Sequence, residues 1–191
     1  MFTAFLGGVA VGVLIPIAVK RLYDPPKRLE IAIGSRTDEI THAVQMAFAN
    51  AWKLSTNRRP LCYDVKTGAV QVGLEKLQKA AKLRAHKAFE ICKESVDIVF
   101  GIELGEIYGH ELMYEPANKE GVYHVFIVHV IYRGGSGRWE EKQLRTHPLK
   151  NVNAHYATKA ITEKIEEWLK YDMIVHNYNL MSRFWRKIGA E

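Results

Sequence analysis

The apolar run at the N-terminus is the feature that most limits how this chain can fold. From Phe2 to Val19 the sequence FTAFLGGVAVGVLIPIAV contains no charged side chain. As a helix rising 1.5 Å per residue it would span about 27 Å, close to the hydrocarbon thickness of a bilayer. A core helix of this length would normally carry a polar face, and this one has none. The run therefore predicts a transmembrane helix.

Positive residues after the apolar run set its predicted orientation. Lys20 and Arg21 follow it directly, and Lys27 and Arg28 come a few residues later. The positive-inside rule then places the C-terminal side in the cytoplasm. A cleaved signal peptide is the competing interpretation, but no positive region precedes the run and no A-x-A-like site follows it. We expect a single-pass membrane protein whose soluble domain faces the cytoplasm.

Two prolines mark the boundary between the predicted anchor and the rest of the chain. Pro25 and Pro26 end the helix and make a short, stiff spacer. We therefore divide the 191 residues into an anchor at 1–21, a linker at 22–28 and a single domain at 29–191.

Composition and motifs exclude several classes of function. Hydrophobic residues make up 48% of the chain and charged residues 25%, as in a globular domain. Cys62 and Cys92 are too few for a disulfide framework and have no CxxC spacing. The sequence contains no HExxH, GxSxG or Walker motif, and its eight histidines show no metal-ligand spacing. The net charge of +6 favours phosphates, nucleic acid or anionic lipid, although an ordinary solvated surface explains it equally well.

The order of the predicted elements indicates an α/β domain. Alternating and apolar patterns predict strands at 29–34, 61–65, 96–104, 106–114, 122–132 and 138–145. Helical patterns cover 39–54, 74–93, 153–171 and 175–188, the last two forming a C-terminal extension. This order implies a mixed β-sheet with helices packed on it.

Glu103 stands where packing alone would not select a carboxylate. Period two places it opposite the apolar side chains of its strand, between Gly101 and Gly105. The missing side chains on either side would leave room for a ligand to approach the backbone. A solvated glutamate in a glycine-weakened strand is an equally good interpretation.

Arg84 and Asp64 are the other two ionisable residues of interest. Arg84 lies on or beside the stripe that the second helix should bury, so it needs a carboxylate or phosphate partner, unless it snorkels to the sheet edge. Asp64 lies in the short strand at 61–65. Two carboxylates from neighbouring strand ends would suffice for Mg²⁺, which keeps several waters. The spacing alone does not show that Asp64 and Glu103 meet.

Taken together, three blocks resemble the inosine/xanthosine triphosphatase family of non-canonical purine nucleoside triphosphatases, over about residues 29–145. The first block is the loop from Ile33 to Ile40, after the first strand. The second combines Asp64 with a helix that opens Gly73-Leu-Glu75 and continues Ala80-Ala81-Lys-Leu-Arg84 to Ala88. The third is Gly101-Ile-Glu-Leu-Gly105, which is similar to the family's G-I-E-x-G strand.

The resemblance implies an activity and a site. Asp64 and Glu103 would bind Mg²⁺ and carry catalysis, and Arg84 would steady the helix or the phosphate site. Ser35, Arg36 and Thr37 would bind the triphosphate, since a loop that leads into a helix N-terminus offers free N–H groups. The implied function is Mg²⁺-dependent hydrolysis of a purine nucleoside triphosphate at the membrane. Soluble members of the family are commonly dimers, and Gly8 and Gly12 in the anchor are compatible with a homodimer.

The first loop departs from the family pattern and keeps a second hypothesis open. The family's lysine is absent there, and Asp38 and Glu39 put negative charge where a triphosphate should dock. Arg36 could supply the cation instead. The second hypothesis is a catalytically inactive module, tethered to the membrane, that binds a protein, lipid or nucleic-acid partner.

Overall fold

The computed structural model describes residues 30–52, 60–68, 71–93, 95–112, 121–134 and 138–188. The predicted anchor at 1–21 and linker at 22–28 lie outside these residues. No helix among the described residues is long and apolar enough to cross a membrane.

The described elements form one mixed sheet with helices on both faces. The strands are β1 (Ile31–Ile33), β2 (Leu61–Cys62), β3 (Gln71–Val72), β4 (Ile98–Tyr108), β5 (Val122–Arg133) and β6 (Trp139–Arg145). The helices are α1 (Asp38–Trp52), α2 (Leu74–Cys92) and α3 (Ala154–Ile188), and a short 3₁₀ helix (Gly109–Glu111) follows β4. The strand order is β2-β1-β4-β5-β6, and β3 also pairs with β4. The pairs β1–β2, β1–β4 and β3–β4 are parallel, whereas β4–β5 and β5–β6 are antiparallel. The predicted mixed sheet flanked by helices is confirmed.

The central strand β4 is longer than predicted. It runs unbroken for 11 residues, so the prediction of two strands, at 96–104 and 106–114, is wrong. Gly105 continues the strand and pairs with Val125 of β5 instead of forming a turn. Its lack of a side chain allows close packing, because a Cβ there would meet Leu77 of α2 and the backbone of Gln71 in β3.

The two faces of the sheet bury different helices. On one face Phe100 of β4 packs edge-on against Phe48 of α1 and Trp168 of α3, with ring centroids 6.1 Å apart in both pairs. On the other face, Val99 and Ile107 lie beneath α2. The predicted phase of β4 is therefore confirmed.

Three further elements differ from the prediction. The C-terminal region is the single helix α3 rather than two helices, and the predicted break near Tyr171 contains neither glycine nor proline. The strand predicted at 61–65 ends at Cys62. The two-residue strand β3 was not predicted, because so short a segment leaves no periodic pattern.

Candidate functional site

The two helical layers separate at the edge of β4 that faces β1 and β3. β1 pairs with β4 from Ile98 to Phe100, and β3 pairs with it at Gly105 and Glu106. After β1 the chain enters α1, which packs on one face of the sheet. After β3 it enters α2, which packs on the other face. In open α/β sheets, ligands commonly bind at such switch points, outside the carboxyl ends of the strands.

Arg84 forms the centre of a hydrogen-bond network at this edge. Its Nε donates to Oε2 of Glu103 at 2.5 Å, and its Nη2 donates to Oγ1 of Thr67 at 3.0 Å. Its Nη1 donates to the backbone carbonyl of Gly34, at 3.2 Å, and to that of Val65. Thr67 also donates to Oε2 of Glu103, at 2.9 Å. The partner of Arg84 is therefore a carboxylate, and the network joins α2 to β4 and to the ends of β1 and β2.

The glycines beside Glu103 serve close packing. A Cβ atom on Gly101 would lie 2.1 Å from the carbonyl oxygen of Ala81 and 2.4 Å from the amide nitrogen of Ala85. Backbone of α2 therefore fills the space that the missing side chain leaves. Glu103 itself is buried, so it is not a solvated glutamate, and protein atoms fill the space that the two glycines leave.

The loop from Ser35 to Thr37 joins β1 to α1 at the same edge. The Ser35 side chain is buried, and its Oγ lies 3.0 Å from Oγ1 of Thr37. Arg36 and Thr37 are exposed. α1 begins at Asp38, and Asp38 and Glu39 occupy its first turn. The loop therefore brings two hydroxyls together at the start of a helix whose first turn is acidic.

Asp64 is placed apart from the Arg84 network. It follows β2 by two residues, its side chain is exposed, and no hydrogen bond links it to Glu103. The link between the two positions is indirect, because the neighbouring Val65 carbonyl accepts a bond from Arg84. The structure thus brings Arg84 and Glu103 together, and Ser35 with Thr37, but leaves Asp64 without a direct contact to Glu103.

Some residues of the candidate site are buried and others are exposed to solvent. The Arg84 and Glu103 side chains are only 19% and 10% exposed, so water solvates neither charge well and each charge compensates the other. Arg36, Thr37 and Asp64 follow the carboxyl ends of the adjacent parallel strands β1 and β2, where solvent reaches them. These exposed groups offer a cation for a phosphate, a hydroxyl and a carboxylate for a metal ion.

A second group of ionisable side chains lies on the other side of α2 and was not predicted. His86 of α2 and His129 of β5 both approach Glu141 of β6, and Lys82 of α2 lies 3.1 Å from the same carboxylate. The pKa of His129 is lowered, because the effect of burial outweighs the opposing effect of Glu141, which would raise it. Burial alone would raise the pKa of Glu141, but Lys82 and His86 outweigh it and the pKa is lowered. Three separate elements supply the group, so no local spacing in the sequence signals it.

Comparison with known proteins establishes the fold alone. No protein-family model matches the chain, and no curated protein matches it. The crystal structure of protein VC0702 from Vibrio cholerae is similar, with a TM-score of 0.51 and 10% sequence identity. The similarity covers 74% of this chain and 94% of that one. At this identity the likeness concerns only how the chain folds.

Proposed function

We propose that the protein is a Mg²⁺-dependent hydrolase of purine nucleoside triphosphates, tethered to a membrane by its N-terminal segment. The observation that carries the proposal is the convergence of the Arg84–Glu103 network with the loop after β1 at the switch point of the sheet. A ligand bound at this edge would contact exposed groups that the chain does not need for its core. The family resemblance of these same positions supports a nucleotide as that ligand.

The residues at this edge fit a magnesium ion that keeps most of its waters. Asp64 offers an exposed carboxylate, and Glu103 offers Oε1, which accepts no hydrogen bond from the described residues. Magnesium requires only one or two protein carboxylates of this kind. When bound there, the ion would polarise phosphoryl oxygens and lower the pKa of a bound water.

The protein's own groups would hold and orient the substrate. Arg36 would bind phosphate oxygens, and the Thr37 hydroxyl would donate to them at the start of α1. Arg84 would act indirectly, by fixing the position of Glu103 and the course of the chain after β2. The acidic first turn of α1 opposes phosphate binding, so a metal counter-ion is needed for a triphosphate to dock there.

The test is turnover by the full-length protein in detergent micelles. Release of phosphate and pyrophosphate is measured from ITP, XTP, GTP and ATP, with Mg²⁺ and with excess EDTA. We expect Mg²⁺-dependent release from at least one purine nucleotide. Asp64→Asn should lower it by at least about tenfold, the order of loss seen when groups that support a bound metal are removed.

The matched control is another carboxylate-to-amide substitution, at an exposed position away from the candidate site. Glu163→Gln alters an exposed carboxylate on α3 and should leave turnover unchanged. No release from any of the four nucleotides by folded protein would refute the hydrolase proposal. Equal loss in Asp64→Asn and Glu163→Gln would refute the assigned site.

One observation favours a second function, a non-catalytic module that binds a protein, lipid or nucleic-acid partner. Glu103, Thr67 and two backbone carbonyls occupy the Arg84 guanidinium, and carboxylates open α1 where a triphosphate would dock. This module would bind no nucleotide. Equilibrium dialysis with each of radiolabelled ITP, XTP, GTP and ATP, with Mg²⁺, separates the two functions, since binding of any of them supports the hydrolase and binding of none supports the module.

The membrane part of the proposal has its own test. Full-length protein and a variant lacking residues 2–19 are mixed with liposomes and floated through a density gradient. We expect only the full-length protein to float after a high-salt wash, because salt screens charge attraction but leaves an inserted apolar helix in place. Flotation of both proteins, or of neither, would contradict a membrane anchor in this segment.

A further inference from the structure

Two histidines and one glutamate converge beside α2, on the side away from Arg84. His86 belongs to α2, His129 to β5 and Glu141 to β6. His86 Nε2 lies 3.0 Å from Oε1 of Glu141, and His129 Nε2 lies 3.2 Å from Oε2. One ligand atom from each residue lies within 4.8 Å of the others. Such separations are compatible with three donors around one ion.

The donor set and its spacing match zinc chemistry. Zinc binds nitrogen at about 2.0–2.1 Å and carboxylate oxygen at about 2.0–2.2 Å in tetrahedral geometry, which places neighbouring donor atoms about 3.3–3.5 Å apart. The two nitrogen–oxygen distances, which end on the two different oxygens of Glu141, are within a few tenths of an ångström of this value, so small side-chain shifts would bring the donors around one ion. Two histidines and one carboxylate form a known zinc set with an open fourth position. Magnesium and calcium prefer all-oxygen sites, so they fit less well.

Hydrogen bonding accounts for these histidines incompletely. The Nε2 of His86 is buried and close to the Glu141 carboxylate, yet it is not directed for a hydrogen bond to it. The Nδ1 of His129 is also buried without a hydrogen-bond partner in the described part of the chain, and that side chain is 6% exposed. Buried polar atoms without partners are uncommon and need a reason. Binding of Nε2 to a metal ion would provide such a reason for His86.

Lys82 is the group that a metal ion would displace. Its Nζ lies 3.1 Å from Oε2 of Glu141, where it compensates the carboxylate charge. The Lys82 side chain is 54% exposed, so its ammonium can turn into solvent at small cost.

We propose that His86, His129 and Glu141 form a mononuclear site for Zn²⁺ or a similar late transition-metal ion, with solvent in the fourth position. The ion would join α2 to β5 and β6 on the face of the sheet that carries Arg84. The site is independent of the proposed nucleotide hydrolysis, since it shares none of those residues.

The test uses the full-length protein without a polyhistidine tag, stripped with a chelator and dialysed. Isothermal titration with Zn²⁺ should give one ion per chain, and His86→Gln should weaken binding by more than about 100-fold, beyond the loss for supporting groups. Co²⁺ should give visible absorption typical of tetrahedral coordination in the wild type and not in the variant. His86 is partly exposed, so this variant is expected to fold even if His129→Gln does not.

Two control variants make the test decisive. His155→Gln removes an exposed histidine of α3 and should leave the Zn²⁺ affinity unchanged. Lys82→Gln removes the competing ammonium and should leave the affinity equal or raise it. No stoichiometric Zn²⁺ binding by the wild type would overturn the proposal, as would binding that survives His86→Gln and Glu141→Gln with unchanged affinity.

Discussion

The Nε of Arg84 lies 2.5 Å from Oε2 of Glu103, and this contact ties the middle of α2 to the middle of β4. Both side chains are largely buried, so neither charge is well solvated. A buried ion pair contributes little net stability compared with apolar residues, but removal of one partner leaves a charge uncompensated.

We expect Arg84→Met to be strongly destabilising and a second substitution to restore much of the loss. Breaking such a pair typically costs about 3–5 kcal/mol, whereas replacing both members is often close to neutral. Arg84→Met, Glu103→Leu and the double variant are compared by urea unfolding. A double variant whose loss equals the sum of the two single losses would show that the pair is not coupled.

Gly101 should not tolerate even one added methyl group. A Cβ there would overlap the backbone of Ala81 and Ala85, which cannot move without shifting α2. Gly101→Ala is expected to lose about 1–3 kcal/mol or more in free energy of unfolding, measured by urea denaturation. Gly134→Ala is the matched control, because the atoms that its Cβ would meet belong to the flexible side chain of Glu140. Equal losses would mean that α2 can move away from the sheet.

Cys92 should make the native state lose stability at alkaline pH. Burial raises the pKa of this thiol, so above about pH 9 the unfolded chain gives up a proton that the native chain retains. The contribution is fully present below the unfolded pKa and is lost as the pH rises through the folded pKa. Cys92→Ala should flatten the decline of unfolding free energy between pH 8 and 10, measured with urea at each pH. An unaltered slope in Cys92→Ala would contradict the prediction.

Thr146 continues the hydrogen bonding of β5 where β6 ends. Its Oγ1 accepts a bond from the buried amide of Phe126 at 3.0 Å. Thr146→Val keeps the shape but leaves that amide without a partner, so we expect a loss of about 1–3 kcal/mol. Thr146→Ser keeps the hydroxyl and should lose less. Thermal unfolding of the two variants compares their stabilities. A Thr146→Ser variant less stable than Thr146→Val would contradict a stabilising role for the hydroxyl.

Patterns with many regularly spaced residues predicted the fold well. The predicted helix at 74–93 matches α2 almost to the residue, because Leu77, Ala81, Arg84 and Ala88 repeat at helical spacing. The phase of β4 was also predicted, since its apolar side chains alternate. One error, the division of β4 into two strands, fell at a glycine that had two possible uses. Gly105 marks close packing against α2 and β3, and the sequence alone does not distinguish that use from a turn.

The candidate site was predictable in part. The need of Arg84 for an anionic partner follows from its place on the buried stripe of α2, and the structure supplies Glu103. The relation of Asp64 to Glu103 depends on where β2 ends, and a two-residue strand leaves no pattern from which to predict that. The His86–His129–Glu141 group depends on three elements meeting in space, which only the sheet register fixes.

The placement of β4 at the centre of the sheet also governs how the chain can fold while it is being synthesised. β1, β2, β3 and both intervening helices precede β4 in the chain, yet β1 and β3 each need it as a partner. The earlier pairing of β1 with β2 spans two positions and is too short to persist alone. Among the strands that the structure describes, a nascent chain that has not reached Ile98 therefore has no lasting sheet on which to bury α1 and α2. The antiparallel β4–β5 ribbon is the first extensive pairing available, so the C-terminal half of the domain must organise the N-terminal half.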